Sequence, residues 1–256
     1  MRIIPNLEYT VKDKEVNDKI ERAYKYLLNQ LHINGKIETM DMVIYGIYPF
    51  YSEQKTKVLF LGREARGLQG SNYIEIVFNG YQNKKIGKNS LDRSSFHRRM
   101  LKVAYALNNS INSYKDIPTA SKISKQFGRE NGLSFAFLNY SKISNECIKK
   151  WNTNWEKLQE TGLIGNFNSE LISAINPDVI ISMGLIDQLK KEFKIEKIES
   201  YRNTSLYKLY INNKSYDLIN GYHYSAVKGI RDWDNIIFPI MEYKRGKNSF
   251  LTTAST

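Results

Sequence analysis

Apolar residues along this chain recur with two different periods, and the alternation between them is the first structural signal. Over residues 15–32, Val16, Ile20, Ala23, Tyr24, Leu27, Leu28 and Leu31 fall at helical spacing and predict an amphipathic helix that covers something. "KVLFLG", 57–62, is too short for a helix and carries no polar alternation, which suits a central parallel strand. A second helix is predicted over 93–110, with Phe96, Met100, Val103, Ala104 and Leu107 on one face. Another apolar run, "LSFAFLNYS", covers 133–141. "NSELISAINPDVIISMG" then reads as helix, turn and strand: Asn176 and Pro177 end the helix, and Val179 to Met183 make the strand. "LIDQLKKEF" predicts a further helix. Two β-rich stretches, "SLYKLYINN" and "KSYDLINGYHYS", meet at a hairpin-like "NNKS". "DWDNIIFPIMEYK" predicts a closing helix before a flexible tail, 246–256.

Strands separated by helices predict an α/β fold with a mostly parallel sheet. No repeat, low-complexity linker or composition break divides the chain. The expectation is one α/β domain over 56–245, with a helical segment, 1–55, packed on its core.

Composition adds limits. Of the 256 residues, 41% are apolar and 25% charged, as in a globular protein with a sizeable core. No run of about 18 apolar residues appears, so no membrane span is expected. The N-terminus becomes charged too early for a signal peptide, and a cytoplasmic location is expected. Cys147 is the single cysteine, which excludes an intramolecular disulfide and any four-cysteine metal or iron–sulfur site. His32, His97 and His223 lack a ligand spacing. The expected chemistry therefore rests on side chains and backbone, with neither metal nor cofactor. The net charge of +12, from 38 basic and 26 acidic residues, favours a polyanion such as DNA as partner. A basic protein with no nucleic-acid role is the alternative.

In parallel sheets, ligands bind beyond the carboxyl ends of the strands. After "KVLFLG" come Arg63, Glu64 and Arg66; "LSFAFL" is followed by Asn139; "YDLINGY" by His223 and Ser225. One carboxylate, one amide and one imidazole thus emerge on a single rim. Each has a plainer reading: a surface salt-bridge cluster for Glu64, a turn cap for Asn139, a structural histidine for His223. Their coincidence at three strand ends is the argument for a shared pocket.

"VLFLGREARG", "FAFLNYSKIS", "NPDVIISMG" and "GYHYSAVKG" together resemble the ordered motifs of the uracil-DNA glycosylase superfamily, over roughly residues 55–240. The resemblance implies a single-domain three-layer α/β/α fold and a monomeric, monofunctional DNA glycosylase that flips a base from the duplex and hydrolyses its N-glycosidic bond. It implies Glu64 as the carboxylate that orients or activates water, and His223 as the donor to the departing base. Asn139 would read the base edge, Ser225 would match the serine of the His-Pro-Ser loop, and Phe78 would be the stacking aromatic, with a core role as its equal alternative. The loop after the histidine, with Val227, Lys228, Ile230 and Arg231, would press on the duplex as an apolar wedge between cations; an ordinary exposed loop is the alternative. Arg63 would lie beside DNA phosphates and help keep Glu64 ionised. Arg98, Arg99, Lys122 and Lys125 are further candidates for phosphate contact, or simply solvated cations.

The chain departs from the uracil-specific pattern. Arg66 stands at the tyrosine that excludes the thymine methyl, Ala65 at the preceding proline, and Tyr224 at the proline of His-Pro-Ser. Arg66 would present five donors to the 5-side of the base. The reading that follows is a pyrimidine with a polar 5-substituent, such as glucosylated 5-hydroxymethylcytosine of phage DNA, excised in defence. In the plainer version Arg66 binds a phosphate and the base is uracil or another deaminated base. Readings from other classes are a non-catalytic DNA-binding module and an enzyme acting on free nucleotides.

Overall fold

The computed structural model describes residues 2–33, 42–111, 113–145, 153–201, 203–226 and 230–243. The first helix, α1 (Val11–Ile33), begins four residues before the apolar periodicity, because Thr10 and Asp13 cap it reciprocally. The Asp13 carboxylate also accepts the N–H groups of Phe50 (2.6 Å) and Ser52 (2.8 Å), fastening the helix to the turn before the sheet. Ile20, Ala23, Tyr24, Leu27 and Leu31 form its buried stripe.

Seven strands make the main sheet. In chain order they are β1 (Gly46–Ile47), β2 (Val58–Gly62), β5 (Ala136–Asn139), β6 (Val179–Met183), β7 (Lys194–Tyr201), β8 (Thr204–Ile211) and β9 (Lys214–Gly221). A separate hairpin pairs β3 (Lys85–Ile86) with β4 (Asn89–Ser90). The sheet order is β1-β5-β2-β6-β9-β8-β7, and β5, β2, β6 and β9 are mutually parallel. β1 closes one side antiparallel; β8 and β7 extend the other as antiparallel strands. The fold is mixed α/β. Every residue of β2, β5 and β6 is buried, in keeping with apolar runs that show no polar alternation.

The chain leaves β2 to lay down β5 on one side, then crosses to place β6 on the other. Strand order therefore reverses at the carboxyl end of β2, where a crevice opens in such sheets. Two groups of helices fill the crossovers. α2 (Tyr73–Gln82), α3 (Ser95–Asn108) and α4 (Ala120–Ile123) lie between β2 and β5; α5 (Thr153–Gln159) and α6 (Leu163–Ile175) lie between β5 and β6. α1 packs on α6, with Tyr24 edge-on to Phe167 at 5.1 Å.

The hairpin predicted at "NNKS" joins β8 to β9 through Asn212 and Asn213, both in the left-handed region that a two-residue turn demands. The helix expected over "LIDQLKKEF" is a single turn, α7 (Ile186–Leu189), and the chain goes on into β7. The closing helix runs over 232–243, with a widened π turn at Trp233–Ile237. Residues 42–51 are mostly buried and supply β1, so the N-terminal segment is part of the sheet as well as a helical cover. The predicted tail lies outside the described residues. No helix among the described residues is long and apolar enough to cross a membrane.

Candidate active site

The rim is built from the ends of β2, β5 and β9. β2 ends in Gly62, where a Cβ would run into the Asn139 Oδ1 and lie 3.2 Å from Phe137 Cζ; the missing side chain leaves the Asn139 amide its place. Beyond it the backbone stays paired. Tyr140 N–H donates to Gly62 O (2.8 Å), Ser141 N–H to Arg63 O (3.0 Å) and Asn145 N–H to Ala65 O (2.9 Å). This anchoring turns Glu64 inward. Its side chain is 2% exposed, and Arg63 Nε lies 3.2 Å from Glu64 Oε1, countering the buried charge.

Asn139 is buried at the end of β5, and its side-chain amide donates to Tyr45 Oη at 2.9 Å. Tyr45 is held in turn, its N–H donating to Tyr24 Oη of α1 at 2.9 Å. The N-terminal helix thereby helps to set the orientation of the amide. Beneath lies Lys142, fully buried, which donates to the main-chain oxygen of Asn139 and to Asn168 Oδ1 (2.9 Å). Desolvation pulls its ammonium down to about 7, against the opposing charge of Glu192.

His223 follows β9 by two residues. The N–H of Ser225 points at His223 Nδ1 (3.3 Å), and Ser225 Oγ lies 2.7 Å from the same nitrogen. A backbone N–H can only donate, so Nδ1 is the acceptor and the neutral ring carries its proton on Nε2. Burial, and then the charges of Arg66 and Arg63, lower the His223 pKa and keep the ring neutral at pH 7. Arg99, buried on α3, fixes the loop. It donates to the main-chain oxygens of Tyr224 (2.6 Å) and Ala226, on either side of Ser225, and to Asp232 Oδ1 (2.8 Å). Arg98 binds the other oxygen of the same carboxylate at 2.9 Å.

Arg63, Glu64, Arg66, Asn139, His223 and Ser225 line one pocket of about 240 Å³. Tyr73, Phe96 and Phe137 supply aromatic walls. Tyr73 and Phe137 are stacked at 4.9 Å, and Phe96 lies 5.7 Å from the His223 ring at 34°. Arg66 and Ser225 are exposed at the mouth. The volume equals about eight waters at ~30 Å³ each, which leaves room for one small heteroaromatic ring with space to spare.

Other predicted positions fall elsewhere. Phe78 lies outside the pocket, against Phe127 and over Gly128, because α2 turns that face away. Ile230 is half-buried against the core, and Arg231 is exposed and paired with Asp234 at 3.3 Å, so this part of the loop is not a free wedge. Val227 and Lys228 lie outside the described residues. Arg98 and Arg99 are ion-paired to Asp232 and hold the histidine loop, which takes Arg99 out of reach of phosphates. Among residues not singled out from sequence, Phe137 carried a usable signal. It stands two before Asn139 on one strand, and so on the same face. Tyr45, Tyr73 and Lys142 carried none.

A larger hollow, about 780 Å³, lies at the opposite end of the sheet, lined by residues that precede β2 and β5 (Gln54, Lys55, Leu133) and by the last turn of α3 (Tyr105, Asn108). In the smaller pocket a carboxylate, an imidazole and two guanidinium groups converge. Fold and pocket together define a mixed α/β protein with a polar, aromatic-walled site at the switch point of its parallel strands. Compared with known proteins, the chain matches no family, no curated protein and no solved structure.

Proposed function

We propose that the chain is a monofunctional DNA glycosylase of the uracil-DNA glycosylase superfamily, acting as a cytoplasmic monomer. One observation carries the reading: Glu64, Asn139 and a neutral His223 share an aromatic-walled pocket large enough to admit one base. The topology is consistent with the three-layer fold of that superfamily. The β2-to-β5 and β5-to-β6 crossovers step in opposite directions, and with the usual right-handed connection this would set the two helix groups on opposite faces of the sheet.

In this mechanism a base leaves the stack and enters the pocket against the wall that Phe96 and Phe137 form edge to face, 5.9 Å apart, its edge read by Asn139. The bond from the sugar C1′ to the base nitrogen breaks, and its electron pair stays on the base. Glu64 opposes the positive charge left on the sugar, and His223 Nε2–H donates to the anionic base. Water adds at C1′, giving its proton to Glu64. The departing base is protonated from solvent.

Arg66 sets the substrate class. An exposed guanidinium at the mouth suits a pyrimidine whose 5-substituent is polar and extends outward, as in glucosylated 5-hydroxymethylcytosine of phage DNA. The pocket holds the ring, and the sugar occupies the mouth. The Arg63–Glu64 ion pair favours a second reading, in which the carboxylate is structural and the scaffold binds DNA without cutting it.

The test is base release from duplexes containing uracil, a thymine mismatch, 5-hydroxymethylcytosine, its glucosylated form or plain cytosine, with Arg66→Gln alongside. We expect release of the glucosylated base, and loss of that preference in the variant. Release of uracil alone would keep the mechanism and remove the defence role. DNA binding without release from any duplex would select the second reading.

A further inference from the structure

Between α2 and α3 the chain makes a detour, "NKKIGKNS", that the site does not use. It folds as the β3–β4 hairpin, with Lys85 opposite Ser90 and Ile86 opposite Asn89 around a turn at Gly87 and Lys88. Lys84, Lys85 and Lys88 are exposed and enter none of the ion pairs found among the described residues. Residues 76–91 contain no acidic side chain. The nearest in sequence are Glu75, in the first turn of α2, and Asp92, whose carboxylate accepts the Ser121 N–H at 3.2 Å. Arg93 is exposed just past the hairpin. Arg129, also exposed, donates to Gln82 at its start (3.1 Å) and stands beside Glu130.

The hairpin is a shaped element. α2 carries Gly80 where a Cβ would strike Ile86 Cδ1 and lie 2.7 Å from Lys85 O, so the helix is cut away to let the hairpin close on it. Lys84 adopts φ 56°, a conformation that a lysine rarely takes, and its carbonyl accepts the Leu91 N–H at 3.1 Å. The hairpin leads straight into the helix that carries one wall of the pocket. Ser90 O accepts the N–H groups of both Arg93 and Ser94 (3.0 Å each), one turn before Phe96, which lines the pocket wall.

We propose that this hairpin is a second contact for duplex DNA, in which Lys84, Lys85 and Lys88 grip phosphates beside the nucleotide that enters the pocket. The inference rests on the DNA reading of that pocket. A polyanion is indicated by three unpaired cations on a strip without acids, on a chain of net charge +12. A membrane surface fits less well, because the one large apolar residue of the hairpin, Ile86, packs on α2 instead of facing outward. A two-stranded ribbon also has the dimensions to lie along a groove.

The experiment measures affinity for an unmodified duplex across a salt series. The proteins are wild type, the triple variant Lys84→Gln, Lys85→Gln, Lys88→Gln, and a charge-matched control, Lys12→Gln, Lys14→Gln, Lys19→Gln, on α1. Each phosphate contact contributes ~0.9 to the slope of log affinity against log salt, so the hairpin variant is expected to lose about 2 to 3 of it. At about 50 mM salt its affinity should fall by roughly ten- to a hundredfold, while the control stays near wild type. Equal losses in both triples would reduce the effect to net charge and overturn the proposal. So would wild-type duplex binding by the hairpin variant with loss only of its binding to vesicles of anionic lipid. No duplex binding by the wild type would overturn it together with the DNA reading. Hairpin-dependent binding without base release from any substrate would leave the hairpin standing and remove only the excision chemistry.

Discussion

The two ends of the parallel strands hold hollows of very different kinds. The amino end has the larger, about 780 Å³, and the carboxyl end the smaller, about 240 Å³. At the amino end several polar groups already serve the backbone. Gln54 Nε2 donates to the oxygens of Phe50 and Gly132, and the Asn108 amide bridges Thr56 and Ala104. At the carboxyl end the loop after β2 is held main chain to main chain. Gly62, Arg63 and Ala65 offer their carbonyls to the segment that follows β5, so Glu64 and Arg66 are not spent on holding that loop. A second layer then holds other side chains of the pocket: Tyr45 for Asn139, Ser225 for His223, Arg99 for the loop that carries both His223 and Ser225. What distinguishes a site from a hollow here is the direction of its polar groups, and volume points the wrong way.

Among changes that leave the reacting groups in place, the largest break in this contrast should come from Gly62→Ala. The added methyl has no room beside Asn139 and Phe137, so the amide must move. A displacement of this order is worth roughly a hundredfold in base release. Thermal unfolding of the variant, measured alongside, separates misplacement from loss of fold.

A smaller effect should appear in the pH profile. His223 has a pKa below its ordinary 6.5 through burial and the charges of Arg66 and Arg63, and the proposed mechanism works through the neutral ring. Lowering the pH through that pKa charges the ring. Base release should therefore be flat near neutrality and decline on the acid side, with its midpoint below 6.5. Removing one of the depressing charges, in Arg66→Gln, should move the midpoint upward. A downward move would contradict the assignment.

The smallest effect is expected at the amino end. Tyr105→Leu or Lys122→Gln, both in the larger hollow, should leave base release within about twofold of wild type. A tenfold loss there would erase the contrast between the two ends.

The parts legible in the sequence were those fixed by local rules. β2 and β6 read as buried strands because neither carries the polar alternation that would leave one face in water. The β8–β9 turn read correctly because asparagine tolerates the left-handed backbone it needs. Glu64, Asn139 and His223 were found because each follows a strand, and parallel strands deliver their ends to one rim. Illegible parts depended on packing at a distance. Phe78 and Phe96 looked alike in sequence, and only the set of α2 and α3 against the sheet brings Phe96 to the pocket and turns Phe78 away. β7 was missed because "KIEKIESY" is exposed along nearly its whole length, so no buried face patterned it. Arg99 read as one more surface cation, and it became a buried clasp only because the His223 loop returns its carbonyls to α3.

The most direct test of the central claim is abasic-site formation under single-turnover conditions, with protein in excess over duplexes of the substrate panel. Wild type and Glu64→Gln would be compared at equal DNA affinity and equal thermal stability. The account predicts abasic sites with at least one modified pyrimidine, formed roughly 10²- to 10⁴-fold more slowly by Glu64→Gln. Abasic sites formed equally fast by the variant, or by neither protein on any duplex, would contradict it.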